Sequence, residues 1–289
     1  MYNSRYRIKE LCNKILCKYK LFNVFVEINN LYLWKWVFIM KVQVNELKKL
    51  EAFSNISSET IEKILNKSDV KNYKAGEILF QDKEEVSTIY FVIKGIVSLY
   101  KINECGQKKV IFMLGQGKII NEVILQRLPA SINCEVFEKA CILGINKDKL
   151  IELMKEDFDL CTSIIISLSS KTRRLYRQLK NTPSSVKIEK RLAAKIYKLG
   201  KDYGVKCEEG ILVNIDISIT YLADLIGSQR ETVSRTIKNL QEKNLIEYKN
   251  KKIYIFDLQK LSDYFKALWF KSRCLYFVSN IIRVCEKFL

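Results

Sequence analysis

The chain has 289 residues and is 48% hydrophobic, enough for two modest domains with real cores. Its 50 Lys and Arg outnumber 32 Asp and Glu, and the resulting net charge of +18 favours a polyanionic partner through counterion release. Histidine is absent, which removes the commonest general base, metal ligand and haem ligand, and the nine cysteines include no C-x-x-C pair, so no zinc or iron–sulfur spacing is present.

Residues 1–40 form a basic, aromatic extension (Tyr19, Phe22, Phe25, Tyr32, Trp34, Trp36, Phe38). Asn23, Glu27, Asn29, Asn30 and Lys35 interrupt its apolar run, so it falls short of the roughly 20 mainly apolar residues a membrane span needs. Met40 is a candidate translation start, because a helical lead-in begins just after it. No secretory signal is evident, and the expected location is the cytoplasm, with free thiols.

Residues 41–147 read as a β-rich unit. Short apolar runs at Glu77–Phe80, Thr88–Ile93, Ile96–Ile102, Lys108–Leu114 and Ala140–Ile145 are separated by Gly76, Gly95, Gly106, Gly115 and Gly117. That spacing predicts a small barrel or sandwich, a β-roll.

Residues 148–182 read as one long helix and a hinge, with Asp148 as its cap and Asn181–Ser185 as the flexible joint before the next unit. Cys161, Ile165, Leu168, Thr172, Leu175 and Leu179 repeat at alternating spacings of four and three. That is the seam of a two-stranded coiled coil and predicts a homodimer, against the alternative of a helix packed on its own domain.

Residues 183–262 read as a winged helix-turn-helix. A connecting helix carries Leu192, Ile196 and Leu199 on one side. Ser218 caps a short helix whose apolar stripe is Leu222, Leu225 and Ile226, and Gly227 ends it. A second helix starts at Ser228 or Gln229 and buries Val233, Ile237 and Leu240. Its other face shows Gln229, Arg230, Glu231, Ser234, Arg235 and Lys238, the residue types that contact base edges and phosphates. Lys249-Asn250-Lys251-Lys252 then forms the tip of a basic wing. The expected partner is double-stranded DNA, with Gln229, Thr232, Lys238, Lys249, Lys251 and Lys252 expected to hold its backbone. Residues 263–289 form an amphipathic tail with Leu268, Leu275, Val278, Ile282, Cys285 and Leu289 on one face.

Three segments carry a resemblance to a known family. They are Tyr73–Gln81 with Ile89–Val97, Gly117–Val123, and Ile226–Arg235. The chain resembles the cyclic-AMP receptor/fumarate-nitrate-reduction regulators (Crp/Fnr), a family of bacterial transcription regulators. The resemblance covers roughly Val44 to Leu261. It implies an α+β fold: an N-terminal jelly roll of the cyclic-nucleotide-binding kind, a long dimerisation helix and a C-terminal winged helix-turn-helix. Glu231-Thr-Val-Ser234-Arg235 matches the family's E-x-x-S-R recognition helix, which implies a two-fold symmetric site with TGA-like half-sites. By the same resemblance Arg230, Glu231, Ser234 and Arg235 fall at base-reading positions, Ser218 aligns with a cap that touches phosphate, and RNA polymerase is implied as a further partner.

The same resemblance locates an effector region at Asn121, Glu122, Arg127 and Ser131. The family's cyclic-nucleotide pocket needs Gly-Glu and then Arg-Ser or Arg-Thr. Here those positions read Asn121-Glu122 and Ala130-Ser131, and Glu122 reads as a locally paired turn residue. A buried phosphate needs a paired cation or converging donors, so cyclic AMP is disfavoured. Haem and an iron–sulfur cluster are disfavoured too, because the family's sensor histidine and N-terminal cysteine cluster are missing. No cofactor is assigned, and an unidentified small effector or a thiol-redox input is expected. The competing readings are a true cyclic-nucleotide receptor on this scaffold, or a regulatory or scaffold protein whose winged helix contacts protein or membrane. An enzyme is more remote: the chain has no phosphate-cradling glycine loop, nucleophile elbow or metal cluster, so no catalytic residue is assigned.

Overall fold

A computed structural model describes residues 43–180 and 187–266. The N-terminal extension, the hinge Asn181–Ser185 and the amphipathic face from Leu268 onward lie outside the described residues.

The lead-in folds as two helices, α1 (Val44–Lys48) and α2 (Ser58–Asn66). The Ser57 hydroxyl accepts from the Thr60 backbone and starts α2. Five antiparallel strands follow: β1 (Ser68–Tyr73), β2 (Ile78–Phe80), β3 (Thr88–Ile102), β4 (Lys108–Leu114) and β5 (Asn133–Asn146). They run in the order β1-β5-β3-β4, with β2 also on β5. Alternation along β3 sends Ile89 and Phe91 to one core and Tyr90 and Val92 to the other, as a two-residue period requires. The inner core of the roll is apolar, built on Phe80, Val97, Phe112, Ile120 and Val136. The outer core lies under α1 and α2 and includes Phe53, Ile61, Leu143 and Ile164.

Three sequence expectations need correction here. Thr88–Ile93 and Ile96–Ile102 are one strand, with register shifts around Lys94 and Ile96. Gly95 reads as a turn but sits in a bulge at φ +90°, where a Cβ would meet the Lys139 carbonyl oxygen at 2.3 Å. The last strand begins at Asn133 and not Ala140, and β1 is an additional strand, its sequence too polar to signal itself.

The third correction concerns the long helix. It is two helices, α3 (Lys147–Glu156) and α4 (Phe158–Lys180). Asn146 rather than Asp148 caps the first, its side chain accepting from the Asp148 and Lys149 backbones. Asp157 breaks the run in an extended conformation and caps α4 through the Asp159 and Leu160 amides, at 2.9 and 3.2 Å. This is the local competition that makes aspartate poor inside helices and good at their starts.

The C-terminal unit contains α5 (Ile188–Tyr203), β6 (Gly204–Cys207), β7 (Gly210–Val213), α6 (Ile219–Ile226), α7 (Arg230–Glu242), β8 (Ile246–Lys249) and β9 (Lys252–Ile255), then a helix over residues 258–266. Its sheet runs β6-β7-β9-β8. Leu192, Ile196, Leu222, Val233, Ile237 and Leu240 form its core, as the helical stripes require. Ile96, Tyr100, Val110 and Met113 of the roll join the same cluster, so the two units share packed surface. Tyr221 sits at that junction. Its ring lies 4.4 Å from Phe137 and its hydroxyl is hydrogen-bonded to that of Ser98.

Candidate nucleic-acid interface and effector region

Three local devices present α7. The Ser218 hydroxyl accepts from the Tyr221 amide at 3.1 Å and starts α6. Gly227 ends α6 at φ +61°, in the left-handed region that favours glycine. Arg191 of α5 donates to the Ile226 carbonyl and pins that end. Gln229 then enters α7 with extended backbone and no side-chain cap.

The inward stripe Val233, Ile237 and Leu240 is buried, and Thr236 is buried with its hydroxyl donating to the Thr232 carbonyl. Gln229, Arg230, Glu231, Arg235 and Lys238 are exposed, and Thr232 and Ser234 are half-buried. Among the described residues, Arg230, Glu231, Arg235 and Lys238 make no ion pair, so their charges are free for an external partner.

The wing is a tight hairpin. Asn250 and Lys251 both take positive φ, 52° and 62°, as a type I′ turn demands. The Lys251 carbonyl accepts from the Ile217 amide at 2.8 Å, and the Tyr248 hydroxyl donates to the Ile217 carbonyl at 2.9 Å. The wing therefore stands beside Ser218. Lys249 and Lys251 are exposed, whereas Lys252 is tied to Asp216 at 2.8 Å.

Helix α4 has two faces. One lies on the roll: Leu160 and Ile164 are buried, Ser163 donates to the Ala52 carbonyl at 2.6 Å, and Gln178 donates to the Ile111 carbonyl at 2.8 Å. The other carries the expected seam. Ile165, Leu175 and Leu179 are 53%, 40% and 68% exposed. Thr172 is exposed as well, and Cys161 and Leu168 are half-buried.

The four effector-region residues differ in burial and in partners. Asn121 is buried, accepting from the Tyr90 amide at 3.0 Å and donating to the Thr88 carbonyl at 2.9 Å. Glu122 opens a short 3-10 turn, Glu122–Gln126, but its partners are not local. Lys171 of α4 binds its carboxylate, and the Ser167 hydroxyl donates to it at 2.6 Å. The Lys171 ammonium also donates to the Ile119 and Ile120 carbonyls, each at 2.9 Å. Burial pulls the Lys171 ammonium below the ordinary lysine range, and Glu122 opposes that pull. Arg127 and Ser131 are exposed, and Ala130 is buried in the inner core. The sequence gives no sign of Lys171, because a lysine 49 positions away is one of many in a basic chain.

Of the cysteines among the described residues, Cys105 and Cys207 are exposed and Cys134 is buried. Burial raises the Cys134 and Cys141 thiols above their usual range and keeps them protonated. Among the described residues no helix is long and apolar enough to cross a membrane, and no cluster of three or more metal-ligating side chains occurs.

A roll carrying a helix-turn-helix with an exposed cationic recognition face and a basic wing defines a DNA-binding transcription regulator. Residues 70–157 match the cyclic nucleotide-binding domain and residues 190–264 the Crp-like helix-turn-helix domain, together more than half of the chain. The chain belongs to the Crp/Fnr family, whose members are transcription regulators and not enzymes.

The global nitrogen regulator of Synechocystis sp. is 26% identical over 199 residues, covering 68% of this chain and 88% of that protein. The cAMP-activated global transcriptional regulator CRP of Salmonella typhimurium is 26% identical over 211 residues, covering 68% of this chain and 94% of that one. Among solved structures, the c-di-GMP responsive global regulator CLP of Xanthomonas campestris superposes with a TM-score of 0.62 at 20% identity, covering 70% of this chain and all of that one. FixK2 of Bradyrhizobium japonicum gives 0.60 at 16% identity, covering 68% of this chain and 96% of that one. These structural likenesses establish the fold.

Proposed function

We propose that the protein is a cytoplasmic homodimeric regulator that binds a palindromic DNA site and is controlled by a small effector other than cyclic AMP. One observation carries the DNA reading: Arg230, Glu231 and Arg235 lie exposed on one face of α7, unpaired among the described residues, with the exposed Lys251 of the wing as a further cation. In this reading Arg230, Glu231, Ser234 and Arg235 specify sequence. Ser218, Gln229, Thr232, Lys238, Lys249 and Lys251 hold phosphates, with Lys252 bracing the wing through Asp216.

The division of labour follows the chain. Residues 41–147 sense, residues 148–182 dimerise and carry the hinge, and residues 183–262 read DNA. The exposed stripe on α4 supports pairing, and a two-fold pair would bring two recognition helices to major grooves about 34 Å apart. RNA polymerase is the partner through which such a dimer would act.

The effector reading rests on the state of Glu122 and Ala130. Glu122 is already neutralised by Lys171, and an alanine buried among apolar side chains offers a cyclic phosphate no cation. Relatives on this scaffold are named for cyclic AMP and for c-di-GMP, so effector identity is not fixed by the fold. A thiol-redox input draws less support, since burial keeps Cys134 and Cys141 protonated.

The test is genome-wide footprinting followed by binding to the recovered site and a scrambled duplex at several salt concentrations. Sequence preference that survives as salt rises supports the reading, and parallel loss on both duplexes refutes it. Micromolar cyclic AMP binding by calorimetry would refute the effector clause.

A further inference from the structure

A cleft of about 780 Å³ lies between the roll, α4 and α5, a volume suited to a metabolite. We propose that it binds a small polyanion bearing carboxylate or phosphate groups, and that this anion is the effector; the second clause rests on the regulator reading above.

Charge bookkeeping along the walls favours an anion. Three of the lysines that line the cleft are already matched: Lys118 by Glu51, Lys198 by Asp202 and Lys171 by Glu122. Arg174, Lys94 and Lys139 line the cleft without a carboxylate partner among the described residues. Arg174 rests its guanidinium on the Phe112 ring, 4.9 Å from the centroid, which orients its donors without neutralising them. Lys195 lies on α5 one turn before Lys198 and does not itself line the cleft; burial and then the charge of Arg174 pull its ammonium down, and Asp202 opposes them. Glu138 and Asp159 also line the cleft, but the balance is positive.

The lining also supplies neutral donors. The Tyr203 ring packs on Gly115, where a Cβ would stand 3.2 Å from it, and burial holds the phenol protonated. Its hydroxyl makes no hydrogen bond to another described residue, and the Ser170 hydroxyl likewise lines the cleft unpaired among them. Cations without carboxylate partners around one cleft, with a phenol beside them, match an oxyanion. The position also suits control. Lys94 belongs to the roll, Arg174 to α4 and Lys198 to α5, so a bound anion would tie the three together and favour one arrangement of them.

The experiment is titration calorimetry on the full chain with citrate, succinate and inorganic phosphate, each against sodium chloride at matched ionic strength. Saturable binding of at least one is expected, with carboxylate and phosphate probes separating the two sources. Arg174→Gln should weaken it about 10-fold or more, the usual loss for a hydrogen bond to a charged group. Lys63→Gln, whose lysine pairs with Glu59 and Glu156 and does not line the cleft, should leave it unchanged. Thermal unfolding without ligand checks that both variants fold. No saturable heat from any probe, or full affinity in a folded Arg174→Gln, overturns the proposal. DNA binding by fluorescence anisotropy runs in parallel. Specific DNA binding without anion binding overturns the cleft alone. Anion binding without specific DNA binding leaves the cleft standing and overturns the regulator reading. Anion binding that leaves DNA affinity unchanged overturns the effector role.

Discussion

Lys171 of α4 reaches the buried carboxylate of Glu122 at the head of the 3-10 turn, joining α4 to the roll. Glu122 stands where the family resemblance places the glutamate of its cyclic-nucleotide pocket. A protein amine, the Ser167 hydroxyl and two backbone carbonyls complete the network there. Such a network fixes geometry more than it adds stability, because desolvation offsets most of the attraction.

Breaking that network on one side should be costly. Lys171→Met leaves Glu122 buried and charged, and should destabilise the fold by about 3–5 kcal/mol, whereas the double variant Glu122→Gln with Lys171→Met should recover most of the loss. Urea denaturation of the single and double variants checks this. Equal stability of the two would mean that Glu122 finds another partner.

Arg235 and Lys251 should fail differently. Arg235→Ala should cost about 1–3 kcal/mol on the specific site and narrow the gap to scrambled duplex. Lys251→Ala should weaken all duplexes alike and reduce the salt slope by about one. Anisotropy titrations over a salt series separate them, and equal losses on both duplexes for Arg235→Ala would remove it from the base-reading set.

Leu175→Asp should produce a monomer. Leu175 is 40% exposed on the seam face, so the isolated fold tolerates a charge there, whereas a paired seam would bury two. Sedimentation velocity reads the outcome, and specific DNA affinity should fall with dimerisation. A Leu175→Asp variant that still sediments as a dimer would place the interface elsewhere.

What was legible in the sequence tracks how local the signal is. Ser218, Gly227 and the wing tip Lys249–Lys252 could be read directly, because a cap, a left-handed residue and a hairpin tip each rest on a few adjacent residues. The α7 stripe Val233, Ile237 and Leu240 was legible from its period. Gly95 misled, since a positive-φ glycine looks the same in sequence whether it turns the chain or bulges a strand. Asp157 was hidden inside a run with helical periodicity. The pairing of Glu122 with Lys171, the packing of Tyr221 on the roll and the cleft beside Arg174 depend on contacts between distant elements, for which no single-chain spacing rule exists.

Lys195 of α5 gives the protein a pH signature of its own. Burial first, and then the charge of Arg174, pull its ammonium down to about 8 from the ordinary 10.5. Below about pH 8 the lysine is charged in both folded and unfolded chains, and folding carries the full cost of desolvating it. Between about 8 and 10.5 the folded chain has released the proton and the unfolded chain still holds it, so this group's contribution to stability rises with pH. Lys195→Met removes the charge and keeps the apolar stem. It should therefore stabilise the protein near neutral pH by about 1–3 kcal/mol, and the advantage should shrink as pH climbs through that window. Chemical denaturation of both proteins between pH 7 and about 10 measures the difference. A gap that stays constant across the series would mean that Lys195 titrates as an ordinary surface lysine.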